Sequence, residues 1–356
     1  MIDYAKKSFY KVFKKIINRY GGVMSLARDC ALLLLVLLSI FKAEAVETIK
    51  QPAMSDLSSC FNGPFESYDK WVGFLSKRPT FKLENFPFSK EEFETYQSTL
   101  TCNIFRYSVG SIKVQGYLIY PKNTQTPLPT IIYNRGGNTT YGMVNMGRMM
   151  NDLMPLAAEG FVVIGSQYRW SGKRLKREDF VADGSEDQYG GIDVEDVLAL
   201  VPIIKSLDIA DSSRIGVYGS SRGGMQSYLF AKRYPDIKAM AIVAGLSDLF
   251  SFRDRSEKSR LLLSTLIPDF AENEEAALKA RSAIYWADEL PKVPVLLVHA
   301  KDDEQVTYAN AVQMSEQFTK YGIPFEFKSF ETGGHDLTEY SDEVDKALVG
   351  WFKKHL

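Results

Sequence analysis

One short segment of the chain combines residue types and spacing that suit nucleophilic catalysis. Residues 219–223 follow the pattern G-x-S-x-G with Ser221 at the centre, and small neighbours let such a serine occupy a tight strand-to-helix turn with its hydroxyl exposed. The apolar run at 214–218 predicts a strand before the turn, and residues 224–234 predict a helix after it. This context favours Ser221 as a nucleophile, whereas Ser220 breaks the spacing.

A serine hydroxyl needs a general base, and the chain contains three histidines. His335 lies in a loop with two glycines, between a predicted strand and the last predicted helix. His299 ends an apolar strand, where packing and hydrogen bonding are the expected roles. His355 is the penultimate residue of the chain and is expected to be solvated. The positions of the three histidines therefore favour His335 as the base.

The third group of such a site is a carboxylate that orients the histidine and stabilises its charged form. Asp302 and Asp303 follow the predicted strand that ends at His299, and they precede the base in the chain. Asp303 is the favoured acid, with Asp302 as a loop or capping residue. Asp248, after an earlier predicted strand, remains an alternative, and Asp336 is expected to cap a helix.

Backbone N–H groups near Ser221 are candidates for stabilising an oxyanion. The N–H of Arg222 opens the helix that follows the nucleophile, so the positive end of the helix dipole points at the site. A second N–H is expected from residues 134–138, because Gly136 and Gly137 allow the backbone to approach a ligand closely. Arg135 in this loop is a candidate for binding a substrate carboxylate, and a solvated or salt-bridged loop residue is the alternative.

Short apolar runs alternate with amphipathic helices through most of the chain after residues 103–120, which themselves predict an antiparallel hairpin. The alternation predicts an α/β fold with a mostly parallel central sheet covered by helices on both faces. Residues 249–290 interrupt it with a helical, lid-like insertion. The predicted organisation is an N-terminal extension with a signal peptide at 1–45, a linker and helical segment at 46–100, of which 46–60 is the linker, and a catalytic domain at 101–356.

The beginning of the chain has the layout of a secretory signal peptide. Residues 31–41 form an apolar run, which Arg28 precedes and a small-x-small cleavage sequence at 43–45 follows. Met24 is the favoured true start, because a chain that begins there carries a signal of ordinary length; translation and use of residues 1–23 is the alternative. Residues 1–23, if retained, predict a basic amphipathic helix that contacts an anionic membrane. Export to the periplasm or the exterior is therefore expected, with membrane attachment only through a retained N-terminal segment.

The net charge and the cysteine content indicate which partners to expect. The formal net charge of −1 gives no indication of a nucleic-acid partner. No cysteine–histidine cluster suggests a metal, and no cofactor is predicted. In an exported chain Cys60 and Cys102 favour a disulfide, with two buried thiols as the alternative. The expected partner is a peptide or small ester substrate.

Several of these segments together resemble the catalytic domain of the prolyl oligopeptidase family of serine peptidases. Residues 218–224 resemble the family's nucleophile motif, residues 299–306 its acid motif, and residues 334–335 its histidine loop. Residues 189–197 resemble a stretch that precedes the nucleophile strand, and the resemblance extends over roughly residues 100–356. It implies an α/β-hydrolase fold and cleavage of peptides by a serine, aspartate and histidine triad.

The chain also departs from the family pattern. No segment of the sequence is long enough for the β-propeller that family peptidases usually carry. Ala300 stands where the family usually has glycine, and Arg135 stands where some members have a tyrosine that donates to the oxyanion. A peptidase is therefore the first expectation. A carboxylesterase or carbohydrate deacetylase is the second, and a non-catalytic binding protein with a hydrolase fold is the third.

Overall fold

The computed structural model describes residues 54–138, 141–169 and 186–356. The predicted signal peptide, cleavage sequence and amphipathic helix lie outside the described residues. Within them, no helix is long and apolar enough to cross a membrane. The same part of the chain contains no group of three or more His, Cys, Asp or Glu side chains that could hold a metal ion.

Nine strands of the described chain form one sheet in the order β1-β2-β3-β5-β4-β6-β7-β8-β9. The pairs β1/β2, β2/β3 and β3/β5 are antiparallel, and every pair from β5/β4 to β8/β9 is parallel. The mostly parallel sheet and the hairpin β2/β3 are therefore confirmed. The strands are β1 (Ser55–Ser59), β2 (Leu100–Val109), β3 (Ile112–Pro121), β4 (Leu128–Asn134), β5 (Val162–Ser166), β6 (Ala210–Ser220), β7 (Ala239–Val243), β8 (Val295–Ala300) and β9 (Phe325–Phe330).

Helices cover both faces of the sheet. Successive side chains of a strand point to opposite faces, and the neighbours Ile131 and Ile132 on β4 accordingly belong to two different hydrophobic clusters. The helices are α1 (Tyr68–Leu75), α2 (Lys90–Thr99), α3 (Met146–Arg148, continued by a π-helical turn at Met149–Leu153 and by Met154–Ala158), α4 (Val194–Leu198), α5 (Leu200–Lys205), α6 (Arg222–Arg233), α7 (Leu249–Asp254), α8 (Glu257–Leu266), α9 (Phe270–Arg281), α10 (Ala309–Tyr321) and α11 (Ser341–His355).

The predicted insertion at 249–290 is helical: it contains α7, α8 and α9, followed by 3-10 helices at Ala283–Tyr285 and Ala287–Glu289. Asp248 caps the first of these helices by accepting hydrogen bonds from the N–H groups of Phe250 and Ser251. Arg255, at the end of α7, donates to the carbonyl of Gln305 at 2.7 Å. The insertion therefore contacts the loop that follows β8.

The region before β2 differs from the predicted linker. Residues 55–59 form the edge strand β1 instead of a linker, and they pair with β2. The pattern missed this strand because an edge strand exposed on most of its residues needs no apolar alternation. Cys60 and Cys102 are joined by a disulfide and both are buried, so the predicted pairing is confirmed. The disulfide ties the end of β1 to β2.

Asp345, on α11, gives the fold a pH-dependent contribution. Burial, together with the charges of Asp152, Asp342 and Glu92, raises the pKa of Asp345 to about 7, whereas an unfolded aspartate titrates near about 3.9. The folded state therefore binds this proton more tightly, and stability is lost as the pH rises from about 4 to about 7.

We expect Asp345→Asn to raise the melting temperature at pH 8 and to lose this advantage at pH 4.5, because the substitution removes a charge that only the higher pH creates. Thermal unfolding at the two pH values measures the difference. Glu343→Gln, an exposed position on the same helix, is the matched control, with the same small effect at both pH values. An Asp345→Asn effect that does not change with pH contradicts the prediction.

Candidate active site

Ser221 occupies the turn between β6 and α6 in a strained backbone conformation, with φ 58° and ψ −125°. This region of φ is rarely adopted by residues other than glycine. The turn is held by hydrogen bonds from Ser221 N–H to the Val243 carbonyl and from Leu246 N–H to the Ser221 carbonyl, each 3.0 Å. A Cβ on Gly223 would lie only 1.8 Å from the carbonyl oxygen of Asn134, so position 223 must be glycine.

His335 connects Ser221 to Asp303. Its Nε2 lies 2.9 Å from Ser221 Oγ, and its Nδ1 lies 2.8 Å from Asp303 Oδ2. A proton on Nδ1 is donated to the carboxylate, which leaves the Nε2 lone pair directed at the serine hydroxyl, as a general base requires. The histidine loop is held by Gly334 N–H, which donates to Asp302 Oδ1 at 2.9 Å. The structure therefore brings the three favoured residues together.

The Asp303 carboxylate is fully buried and accepts four hydrogen bonds. Oδ1 accepts from the N–H groups of Gln305 at 2.8 Å and Val306 at 2.9 Å. Oδ2 accepts from His335 and, at 3.1 Å, is also contacted by Nε2 of His299. Burial alone would raise the pKa of Asp303, but the bonds from His299, His335 and Val306 outweigh it and hold that pKa below its usual range. The carboxylate is therefore ionised at neutral pH.

The alternative acids and bases occupy other positions. Asp248 uses its carboxylate to cap α7. His355 packs its ring against Trp351, with ring centroids 4.2 Å apart. The short helix after the histidine loop is capped at Leu337, so the prediction that Asp336 caps a helix is wrong.

The predicted oxyanion groups flank Ser221. Gly136 lies against Ser221, because a Cβ on Gly136 would come within 2.9 Å of Ser221 Cβ. Arg222 is the first residue of α6, and the N–H groups of a first helical turn have no acceptor within their own helix. Gly137 has a φ of 71° and packs against the backbone of Tyr141, which sets the path of the loop. These positions agree with the expected oxyanion role, which stays a prediction.

The side chain of Arg135 does not face a substrate. It is fully buried, and its Nε and Nη2 both donate to the carbonyl of Gln167, at 2.9 and 2.7 Å. Its Nη1 donates to the carbonyls of Gly136 at 2.8 Å and Tyr141 at 3.2 Å, and its guanidinium lies over the Tyr168 ring. The prediction that Arg135 binds a substrate carboxylate is therefore wrong, because all of these groups hold the side chain inside the loop.

Arg222 has a second role that the sequence did not indicate. Its buried guanidinium makes a two-point ion pair with Asp187, at 2.7 and 2.6 Å, and contacts Asp193 at 2.8 Å. Nη1 also donates to the Gly137 carbonyl at 3.2 Å, and the group lies over the Tyr189 ring. The positive charge of Arg222 holds the pKa of Asp187 below its usual value in spite of burial. Arg222 thereby clamps the glycine loop (residues 134–138) to the 187–193 segment.

The sequence of the chain matches a known protein family. The family model described as the prolyl oligopeptidase family matches residues 148–356. The uncharacterized peptidase YtmA of Bacillus subtilis is 24% identical over 249 residues, which are 69% of this chain and 91% of that protein. Dipeptidyl peptidase 8 of Mus musculus is 26% identical over 259 residues, which are 70% of this chain and 28% of that protein.

Solved structures show the same fold. The acylaminoacyl peptidase of Pyrococcus horikoshii superimposes with a TM-score of 0.63 at 18% identity, over 76% of this chain and 44% of that one. The likeness at this identity concerns the fold, which is that of the α/β hydrolases. The chain thus spans most of the Bacillus relative but less than half of the dipeptidyl and acylaminoacyl peptidases.

We expect Arg222→Ala to lower the free energy of unfolding by about 3–5 kcal/mol, because it leaves Asp187 and Asp193 as buried charges without their cation. Urea denaturation measures the loss. Arg233→Ala, on the same helix, removes an exposed ion pair with Glu195 and should cost less than about 1 kcal/mol. Equal losses in the two variants would show that the buried clamp contributes nothing beyond an ordinary surface pair.

Proposed function

We propose that this chain, which belongs to the prolyl oligopeptidase family of serine peptidases, hydrolyses an amide or ester bond through an acyl-enzyme with Ser221 as the nucleophile. The observation that carries the proposal is the continuous hydrogen-bond path from Ser221 Oγ through His335 to Asp303, with distances of 2.9 and 2.8 Å. Peptides are the first substrate class, because the similar proteins in the family are peptidases by name.

The reaction proceeds in two halves. In the first, His335 Nε2 takes the hydroxyl proton as Ser221 Oγ attacks the carbonyl carbon, and the same proton then passes to the leaving group as its bond to that carbon breaks. In the second, His335 takes a proton from water, the resulting hydroxide attacks the acyl carbon, and Ser221 regains its proton on release of the acid. Asp303 stabilises the imidazolium that forms in both halves.

The oxyanion of each tetrahedral intermediate is assigned to the backbone N–H groups of Arg222 and Gly136. The position of both residues against Ser221 supports this assignment. Donors that are already oriented toward a developing charge lower its energy without having to move. The buried side chains of Arg135 and Arg222 then act on the oxyanion only indirectly, by holding the glycine loop at the Gly136 and Gly137 carbonyls.

A small ester is the second substrate class, as for a carboxylesterase or a carbohydrate deacetylase. The observation in its favour is that the described residues form one α/β domain without a β-propeller. In larger family members the propeller restricts which substrates reach the active site. The described part of this chain places no comparable structure over the triad. The same acyl-enzyme chemistry serves both substrate classes.

We expect a fluorophosphonate probe to label the wild type and not Ser221→Ala, because the probe reacts with an activated serine. Ser220→Ala is the matched control, since Ser220 ends β6 and no bond joins its hydroxyl to His335, and it should label as the wild type does. Asp303→Asn should lower kcat by about 10⁴-fold, because the imidazole then loses the partner that sets its tautomer. A folded wild-type protein that resists the probe contradicts the catalytic proposal.

The substrate class is tested on the same proteins. Turnover of aminoacyl and N-acyl-aminoacyl naphthylamides by the wild type, lost in Ser221→Ala, is the result expected of a peptidase. If the wild type hydrolyses 4-nitrophenyl acetate but none of a broad set of amides, the esterase or deacetylase assignment would replace the peptidase one.

We also propose that the protein is exported to the periplasm or the exterior. Two observations support this location: the signal-like layout at 31–45 and the Cys60–Cys102 disulfide, since disulfides persist in oxidising compartments. N-terminal sequencing of the mature protein should find a start near Val46. Recovery of residues 4–11 in mature material would contradict cleavage and favour attachment to the membrane through the retained segment.

A further inference from the structure

His299 contacts the same carboxylate oxygen of Asp303 that His335 contacts. It lies next to the end of β8 and is 1% exposed. Its Nε2 lies 2.8 Å from the Val306 carbonyl and 3.1 Å from Asp303 Oδ2. Carbonyl and carboxylate oxygens only accept hydrogen bonds from such a group, so Nε2 must carry a proton that the two oxygens share.

The surroundings hold the imidazole in this orientation. The loop from Ala300 turns back on itself, so that Val306, seven residues after His299, presents its carbonyl to the same ring nitrogen that contacts Asp303. The Tyr308 ring meets the imidazole edge to face, with centroids 6.0 Å apart and planes at 84°. On the paired strand β9 the neighbour of His299 is Ser329, which does not titrate at ordinary pH. Nε2 of His299 therefore contacts both the carbonyl of Val306 and the carboxylate of Asp303, and so ties together the acid loop (residues 300–306).

We propose that His299 is a positioning residue of the reaction: its Nε2–H holds Asp303 Oδ2 toward His335 and takes up part of the carboxylate's charge. The inference rests on the proposed function, because it needs His335 to act as the base. Oδ2 is shared by two imidazoles, while the two backbone N–H groups hold Oδ1. Without the His299 donor, the carboxylate loses one of its four anchors and attracts the proton on His335 more strongly.

A pH effect of a His299 substitution could also arise from the other charged and titratable groups near this residue. Asp303 and Tyr308 contact the ring, and His335 lies across the shared carboxylate. Asp302 and Glu304 flank Asp303 in the acid loop, and Asp302 is engaged by Gly334 N–H. Substitution of His299 leaves all five in place. A change in the pH profile therefore reports on the contact that the substitution removes.

A matched pair of substitutions separates positioning from packing. Glutamine can place its amide nitrogen near the position of imidazole Nε2, whereas the shorter asparagine reaches only the position of Nδ1 and cannot donate to Asp303. We expect His299→Asn to lower kcat by about 10- to 100-fold, as small misplacements of catalytic groups do, with KM changed by less than about twofold. The acid limb of the plot of kcat/KM against pH should move to higher pH.

His299→Gln is the rescue variant, and it should recover most of kcat and the wild-type acid limb. Equal losses in both variants, with an unmoved acid limb, would show that His299 only fills space and would overturn the proposal. Wild-type kinetics in both variants would overturn it too. Thermal unfolding of each variant shows whether a loss of activity is a loss of fold.

A measurement on the unmodified protein decides the case if the asparagine variant does not fold. The chain has three histidines, so nitrogen NMR of the ring-labelled wild type can assign each tautomer. Nε2–H on His299 is expected, and Nδ1–H on His299 would overturn the proposal. A wild type that neither labels with the fluorophosphonate nor turns over substrate would instead refute the proposed function, while an active wild type with unaffected variants refutes only the role of His299.

Discussion

The buried, ionised carboxylate of Asp303 is the group on which the arrangement of the site depends. A carboxylate removed from water keeps its charge only if hydrogen bonds replace its hydration. Here the replacements come from two backbone N–H groups of its own loop and from two imidazoles on different parts of the chain. The need to satisfy one charge therefore fixes the acid loop, the histidine loop and the end of β8 relative to one another, and His335 is held at Ser221 as a result.

A second buried charge, on Arg222, organises the other side of Ser221. The guanidinium of Arg222 is enclosed by Asp187, Asp193 and the Tyr189 ring, and it reaches the carbonyl of Gly137. Since Arg222 directly follows Ser221 in the chain, the strained turn is tied on one side to the glycine loop and on the other to His335. Strain at Ser221 is tolerated because relaxation of the turn would pull Arg222 out of its buried ion pairs and break the hydrogen bond between Ser221 and His335.

Much of the fold could be predicted from periodicity. The parallel strands β4 to β8 are short apolar runs, because both faces of the sheet are covered, and the glycine pattern located Ser221 before any contact was known. Edge strand β1 could not be found in this way: its residues are mostly exposed, and its pairing with β2 is a long-range property. The same limit applies to Arg135 and Arg222, since composition alone does not distinguish a guanidinium that faces a substrate from one that is enclosed by carbonyls and carboxylates.

The sequence by itself determined which residues could do the chemistry. A serine between glycines, an aspartate after a strand and a histidine in a glycine loop are local patterns, and their order along the chain restricts their roles. Only the tertiary structure decided which of Asp248, Asp302 and Asp303 meets His335, and that His299 shares the same carboxylate oxygen. These facts depend on distances between residues far apart in the chain, which packing and the requirement to pair buried charges determine, and which no local pattern of residues records.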